Sequence, residues 1–171
     1  MKKYTSKARE LTYAAIIAAL YAALTHMQNA LLPGSASMAI QFRASEALCV
    51  LAFFTPAAIP GLTLGCLLFN LTSGMALPLD FLMGSLATVL AVWSMRRLRN
   101  LKWKGLPLPA LALPALTNAL LVGLELTVYI GGGFFINALY VALGELGVLY
   151  TLGILLYIAL DKSRFVREIF S

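Results

Sequence analysis

Thirteen residues of this chain are basic, and twelve of them fall into three short patches separated by long apolar tracts. The patches are Lys2, Lys3, Lys7 and Arg9; Arg96, Arg97, Arg99, Lys102 and Lys104; and Lys162, Arg164 and Arg167. Between them lie one further cation, Arg43, and four acids, Glu46, Asp80, Glu125 and Glu145. Lys and Arg collect in the cytoplasmic loops of membrane proteins, so all three patches are expected on one side. An even number of spans must then separate each patch from the next.

Composition supports a membrane chain. Of 171 residues, 61% are hydrophobic and 12% charged, where a soluble domain carries about 25% charged residues. The net charge of +6 could serve nucleic acid, but the cations flank apolar tracts rather than line a face, which is the pattern of membrane orientation. Met1-Lys2-Lys3 resembles the start of a signal peptide. The first apolar tract, however, runs into a polar loop without a small-x-small cleavage site, and it reads as a retained span. Cys49 and Cys66 both sit in apolar tracts and read as small buried hydrophobes, not as a disulfide or a metal pair.

Apolar tracts run over 11–32, 46–59, 60–76, 78–95, 107–130 and 135–160. About 20 helical residues cross the hydrocarbon. Taken as one span, 46–76 would leave three spans between the first two patches and place the Arg96 patch outside. Two short helices broken between Pro56 and Pro60 restore the even count, and proline supplies a local cause for the break. The expectation is an all-α, single-domain bundle of six transmembrane helices over residues 1–171, with both termini cytoplasmic. Loop 33–45, the turn at 74–78 and Gly131-Gly132-Gly133 then lie outside. No Walker-type phosphate loop is present in the sequence, so any use of ATP falls to another chain.

Helix 1 carries alanines at four-residue spacing in two adjacent rows, Ala14, Ala18, Ala22 and Ala15, Ala19, Ala23. Small residues let two membrane helices approach closely. The rows suit packing within this bundle or docking of a partner membrane subunit.

In the six-span arrangement the strongly polar residues gather toward the external half: Glu46, Asn70, Asp80, Asn118, Glu125, Asn137 and Glu145. Asn118 and Glu125 are seven residues apart and share a helix face. Glu46, after Ser45, and Asp80, after Pro78, also suit the first turn of a helix, where an acid complements the dipole and Arg43 could pair with Glu46. Asn70 and Asn118 suit helix bridging as well as ligand contact. Glu125 and Glu145 have no intramembrane Lys or Arg in the sequence pattern to answer them. Ionisable groups at membrane depth are costly and mark functional sites, so a ligand, water or a proton must satisfy them. His26 reads as interfacial, since no second His or Cys accompanies it as a metal ligand. Phe134, Phe135, Tyr129 and Tyr140 suit interface anchoring, and an aromatic of this group could also cover a flat ligand. Carboxylates with asparagines could accept from the ring N–H and exocyclic amine of a guanine-like base, or from other amine-bearing small molecules.

Three groups of residues carry a resemblance: Gln41-Phe42-Arg43-Ala44-Ser45-Glu46-Ala47-Leu48 with Phe54-Thr55-Pro56-Ala57-Ala58-Ile59-Pro60-Gly61-Leu62 and Gly65-Cys66-Leu67; Asp80-Phe81 with Gly84-Ser85-Leu86-Ala87-Thr88; and Asn137-Ala138-Leu139-Tyr140-Val141-Ala142-Leu143-Gly144-Glu145. Over residues 11–160, in consistent order, these strings resemble the QueT family of substrate-binding S components of energy-coupling factor (ECF) transporters. The resemblance implies a six-helix bundle in a bacterial plasma membrane that captures a queuosine precursor, such as 7-aminomethyl-7-deazaguanine or its 7-cyano relative. It implies as partners a transmembrane coupling subunit (EcfT-like) and a pair of cytosolic ATPases, with no cofactor and no enzymatic activity. The alanine rows then become the expected face for the coupling subunit. Glu125 and Glu145 become the expected principal ligand contacts, with Asn70, Asn118 and Asn137 orienting the base, and Gln41, Arg43 and Glu46 shaping the outer loop beside Asp80 and Tyr140. The rival expectation is a self-sufficient proton-coupled carrier in which Glu125 and Glu145 relay protons, and a further alternative is an S component for another heterocyclic vitamin.

Overall fold

A computed structural model describes residues 2–35, 40–74 and 76–163, with side chains from Lys7 onward. Arg164 and Arg167 of the third basic patch lie outside the described residues, as do the side chains of Lys2 and Lys3. The described chain is helical, and its one β-like feature is an isolated bridge between Trp103 and Leu106. The elements are α1 (Lys2–Leu31), a 3₁₀ helix (Ala44–Phe53), α2 (Ala58–Thr72), α3 (Asp80–Arg97), α4 (Leu108–Leu111), α5 (Leu113–Tyr129), α6 (Phe134–Val148), a π-helical turn (Leu149–Gly153) and α7 (Ile154–Lys162).

Each apolar tract therefore carries a helical segment, but they are not alike. Among the described residues three stretches are long and apolar enough to cross a membrane: Lys7–Leu31, Leu108–Tyr129 and Phe134–Lys162. The last runs through α6, the π turn and α7. α3 has 18 residues, with Asp80 at one end and Arg96 and Arg97 at the other. The second and third tracts are short, at 10 and 15 residues.

The proline break lies earlier than expected. The second tract stops at Phe53 and α2 starts at Ala58, because Pro56 sits in the turn between them, where the Ala57 amide donates to Thr55 Oγ1 at 3.3 Å. Pro60 falls inside the first turn of α2. There its missing N–H has no intrahelical acceptor to lose, so it starts a helix rather than ending one. The second tract is also a 3₁₀ helix rather than an α-helix. At about 2.0 Å rise per residue its ten residues reach roughly 20 Å, where an α-helix would reach about 15 Å.

This 3₁₀ helix runs through the middle of the bundle. It packs against α1, α2, α3, α6, the π turn and α7. Its Cys49, Val50 and Ala52 are wholly buried in the main core with Tyr21, Leu62, Cys66, Val92, Met95 and Leu111. At its far end Arg96 Nη1 donates to the Ala52 carbonyl at 3.1 Å. That bond satisfies one of the carbonyls a helix end leaves without a partner.

Close approach of the surrounding helices depends on glycine. A methyl added at Gly61 would sit 2.8 Å from the Ala14 carbonyl, and one at Gly65 would sit 2.7 Å from Tyr21 Cβ and 2.8 Å from the Ala18 carbonyl. Gly123 of α5 lies as tightly on the backbone of Ala138 in α6. The alanine rows consequently divide. Ala14 and Ala18 are buried against α2, Ala22 is half-buried, and Ala15, Ala19 and Ala23 are exposed. One row is spent inside the bundle, so the two rows do not form a single free strip.

A branched side chain at Gly65 must displace backbone, at a cost of about 1–3 kcal/mol or more. Gly65→Val is therefore expected to lose the monodisperse peak in detergent size-exclusion chromatography, whereas Ala19→Val on the exposed row keeps it.

Candidate ligand-binding site

Three residues per turn place side chains i and i+3 in register along a 3₁₀ helix. Glu46, Cys49 and Ala52 therefore form one buried ridge, flanked by buried Arg43, in extended backbone at the N-cap, and by buried Thr55 beyond the last turn. The ridge begins with a charged cluster. Arg43 lies 4.0 Å from Glu46, and the hydroxyl of Tyr21, from α1, sits between them: it donates to Glu46 Oε1 and accepts from Arg43 Nη1 at 3.4 Å. Glu46 Oε2 accepts from the Cys49 thiol at 3.2 Å. The Arg43 guanidinium also donates to Gln41 Oε1 and to Cys66 Sγ, and it lies over the ring of Phe69, 5.7 Å from the centroid.

Gln41, Arg43 and Glu46 thus belong to the interior rather than to an outer loop. The segment reaches inward because Gly144 of α6 admits it: a methyl there would meet the Gln41 carbonyl at 2.6 Å. Gln28 of α1 fastens the same segment by donating to the Phe42 carbonyl and accepting from the Ala44 amide.

Two further centres adjoin this cluster. On one side Glu145 of α6, wholly buried, lies close enough to Glu46 and Arg43 to feel both charges. Asn118 of α5 donates to its Oε1 at 2.6 Å, while its Oε2 has no hydrogen-bond partner. On the other side Cys66 leads to Asn70 of α2, whose amide donates to the Asp80 carbonyl at 2.8 Å. Gly84 leaves the room this amide occupies. The Asp80 side chain accepts from the Leu77 amide at 2.6 Å and so fixes the start of α3. Glu125 of α5 faces Asp80 and the backbone at Leu79, yet neither of its oxygens makes a hydrogen bond of ordinary geometry.

Arg43, Glu46, Asp80, Glu125 and Glu145 are all at most 6% exposed. Fully ionised, they would set one positive charge against four negative, a net of −3. A bundle interior does not hold such an excess unanswered, because an unpaired buried charge is expensive. Protonation of some of these carboxyls, or a donor-rich cation among them, would relieve the excess. Among the described residues no group of three or more His, Cys, Asp or Glu is arranged to hold a metal ion.

The expected site residues divide accordingly. The structure brings together Gln41, Arg43, Glu46, Asn70, Asp80, Asn118, Glu125 and Glu145. It does not bring in Asn137, whose amide donates to Thr127 Oγ1 and the Gly131 carbonyl, both at 3.0 Å, and ties the α5–α6 turn. Tyr140 is exposed on the outer face of α6. Arg43 is itself buried, between Glu46 and Cys66, but its ion pair is with Glu46, and it reaches Glu145 only through its charge. Tyr21, Cys49 and Cys66 were missed. Tyr21 could have been found, because a phenol within an alanine run must send its hydroxyl to a partner when buried.

The sequence model of QueT transporters matches residues 11–162. The chain belongs to the QueT transporter family. The match runs from the third turn of α1 to the end of α7, and so takes in every residue of the polar cluster. It agrees with the resemblance carried by the Phe42-Arg43-Ala44-Ser45-Glu46-Ala47 and Asn137–Glu145 strings. As a QueT member with three membrane-length apolar helices, the chain is a membrane transporter protein. No curated protein and no solved structure matches it.

Removing one partner of a buried ion pair leaves the other uncompensated, at about 3–5 kcal/mol. Arg43→Met is expected to lower the thermal unfolding temperature in detergent strongly. Adding Glu46→Met to it should restore much of the loss; an additive second loss would show that the pair does not act as a unit.

Proposed function

We propose that this QueT protein is the substrate-binding S component of an ECF-type importer and captures a queuosine precursor, a 7-deazaguanine such as 7-aminomethyl-7-deazaguanine. The observation that carries the ligand reading is the set of unanswered acceptors. Of four buried side-chain polar atoms without a hydrogen-bond partner among the described residues, three are carboxylate oxygens of Glu125 and Glu145. A 7-deazaguanine offers what these acceptors lack: a ring N–H beside an exocyclic amine for one carboxylate, and an aminomethyl cation for another.

In this reading Glu145, held by Asn118, takes the guanidine-like edge of the base, and Glu125 with Asp80 takes the cation. Gln41 and Asn118 are the amides best placed to orient the ring. Asn70 and Asn137 already spend their donors on backbone and neighbouring side chains, which favours a bridging role for both. Arg43 and Glu46 hold the floor of the site at the start of the 3₁₀ ridge.

The proposed topology is six membrane-crossing segments in a bacterial plasma membrane, with both termini and the Arg96 patch cytoplasmic. The shortness of the 3₁₀ helix is compatible with crossing because it is enclosed by other helices rather than by lipid, whereas α2 turns Leu64, Leu68 and Leu71 outward as a lipid-facing side. The coupling subunit would dock on the exposed row Ala15, Ala19 and Ala23, next to a groove of about 460 Å³ lined by Leu11, Ala14, Pro56, Pro60 and Leu64 among others. A pair of cytosolic ATPases would complete the importer.

The facing carboxyls of Glu125 and Asp80 favour a second reading, a self-sufficient proton-coupled carrier. Reconstitution separates the two. As an S component, the purified chain alone in liposomes takes up no 7-deazaguanine under a pH gradient, and uptake appears only with the coupling subunit, the ATPases and ATP; uptake by the chain alone overturns the proposal. Loss of one charged hydrogen bond costs about 1.5–3 kcal/mol. Glu145→Gln and Glu125→Gln should therefore each weaken binding of the aminomethyl compound by roughly ten- to a hundredfold. Wild-type affinity in both would remove these residues from the site. Ala19→Trp should keep binding and lose assembly with the coupling subunit, and normal transport by this variant would rule out the docking face.

A further inference from the structure

At the C-terminal end of α3, beside the start of α2, a cleft of about 390 Å³ is lined by Ile59, Trp93, Arg96, Arg97, Arg99 and Asn100. Three guanidiniums border one space. Arg96 is committed in part to the Ala52 carbonyl. It also lies close enough to Arg99 to be repelled by it, and the acid that faces it is Glu10 of α1. Arg97 stacks on the exposed ring of Trp93, with its guanidinium carbon 4.9 Å from the centroid. Among the described residues none of the three arginines makes an ion pair.

The surroundings of the cleft are apolar. Trp93 lies one helical turn before Arg97, on the membrane side of it, and is 49% exposed. Leu98, Leu101 and Trp103, which follow in the loop after α3, are exposed as well. Large apolar side chains around a cationic cleft place it at the boundary between hydrocarbon and headgroups, where tryptophan concentrates and arginine extends its charge toward the polar layer.

We propose that this cleft binds the phosphodiester headgroup of an anionic phospholipid. Guanidinium forks match the oxygens of a phosphate, and basic pockets between helices at this depth hold anionic headgroups. Arg97 and Arg99 supply the principal contacts, Asn100 adds an amide donor, and Trp93 with Ile59 flanks the first part of the acyl chains. The flanking apolar residues select a lipid over a free anion, since inorganic phosphate would leave them facing solvent. Arg96 lies between the cleft and the buried 3₁₀ helix, so a bound headgroup would rest against the residue that closes that helix.

The test uses the full chain carrying Trp103→Phe, which leaves Trp93 as the sole tryptophan of the two. Nanodiscs of phosphatidylcholine receive increasing amounts of phosphatidylglycerol with brominated acyl chains, and Trp93 emission is followed. The expected result is quenching at a low mole fraction of brominated phosphatidylglycerol, whereas brominated phosphatidylcholine quenches only in proportion to its share. Arg97→Ala with Arg99→Ala should raise the mole fraction for half-quenching by about tenfold or more. Lys102→Ala with Lys104→Ala, outside the cleft, should leave it unchanged. Arg96 is kept in every variant because it closes the 3₁₀ helix, and size-exclusion profiles check the fold. Equal curves for the two brominated lipids, or for wild type and the double arginine variant, would overturn the proposal. So would displacement of the brominated lipid by millimolar inorganic phosphate, which would mark a free-anion site.

Discussion

The contact of Arg43, Tyr21 and Glu46 fixes the rest of this bundle. It joins α1 to the first turn of the 3₁₀ helix, and through Cys66 it reaches α2. A buried charge pair tolerates little displacement, because each partner becomes an uncompensated ion if the other moves. Once Arg43 is drawn in, the strand of chain before it must follow past Gly144, and the 3₁₀ helix must run down the middle of the bundle. The glycines of α2 then set how closely α1 can lie against that centre. The polar cluster and the helix packing are two views of one constraint.

The 3₁₀ geometry gives this centre its chemical character. An α-helix over the same residues would turn by about 100° per residue and spread Glu46, Cys49 and Ala52 around its circumference. With three residues per turn they stand in one line, so a single thin element carries Glu46 and Cys49 into the core behind Arg43 at its N-cap. The same element ends at the Ala52 carbonyl under Arg96. One rigid segment thereby spans from the acid-rich half of the bundle to the basic half.

Much of the architecture was legible in the sequence, and the reason is physical. Charge asymmetry and apolar runs act at the scale of whole helices, so the six tracts, the proline-bounded turn and the reduced, buried state of Cys49 and Cys66 could be read from residue types alone. Glu125 and Glu145 stood out because no sequence neighbour could answer them, and both are indeed buried with oxygens left unpartnered. What failed depends on non-local geometry. The sequence placed Arg43 in a loop, and only the space above Gly144 lets that loop enter the bundle. Asn137 sits two turns before Glu145 in the same string, yet the turn at Gly131 takes its amide. Tyr140 and Tyr21 are equally apolar in context, and only packing decides that one faces outward and the other closes a charge pair. The two alanine rows are identical in composition, and they part only because Gly61 and Gly65 lie against one of them.

In the proposed function the surplus of buried carboxyls receives a cationic, donor-rich heterocycle. The most direct test is calorimetric titration of the purified chain, without any partner, using 7-aminomethyl-7-deazaguanine, its 7-cyano relative and guanine. Saturable one-to-one binding of the aminomethyl compound is expected, with weaker binding of the cyano compound that lacks the cation and the weakest for guanine. Equal affinity for the aminomethyl and cyano compounds, or no heat with any of the three, would contradict the proposed function.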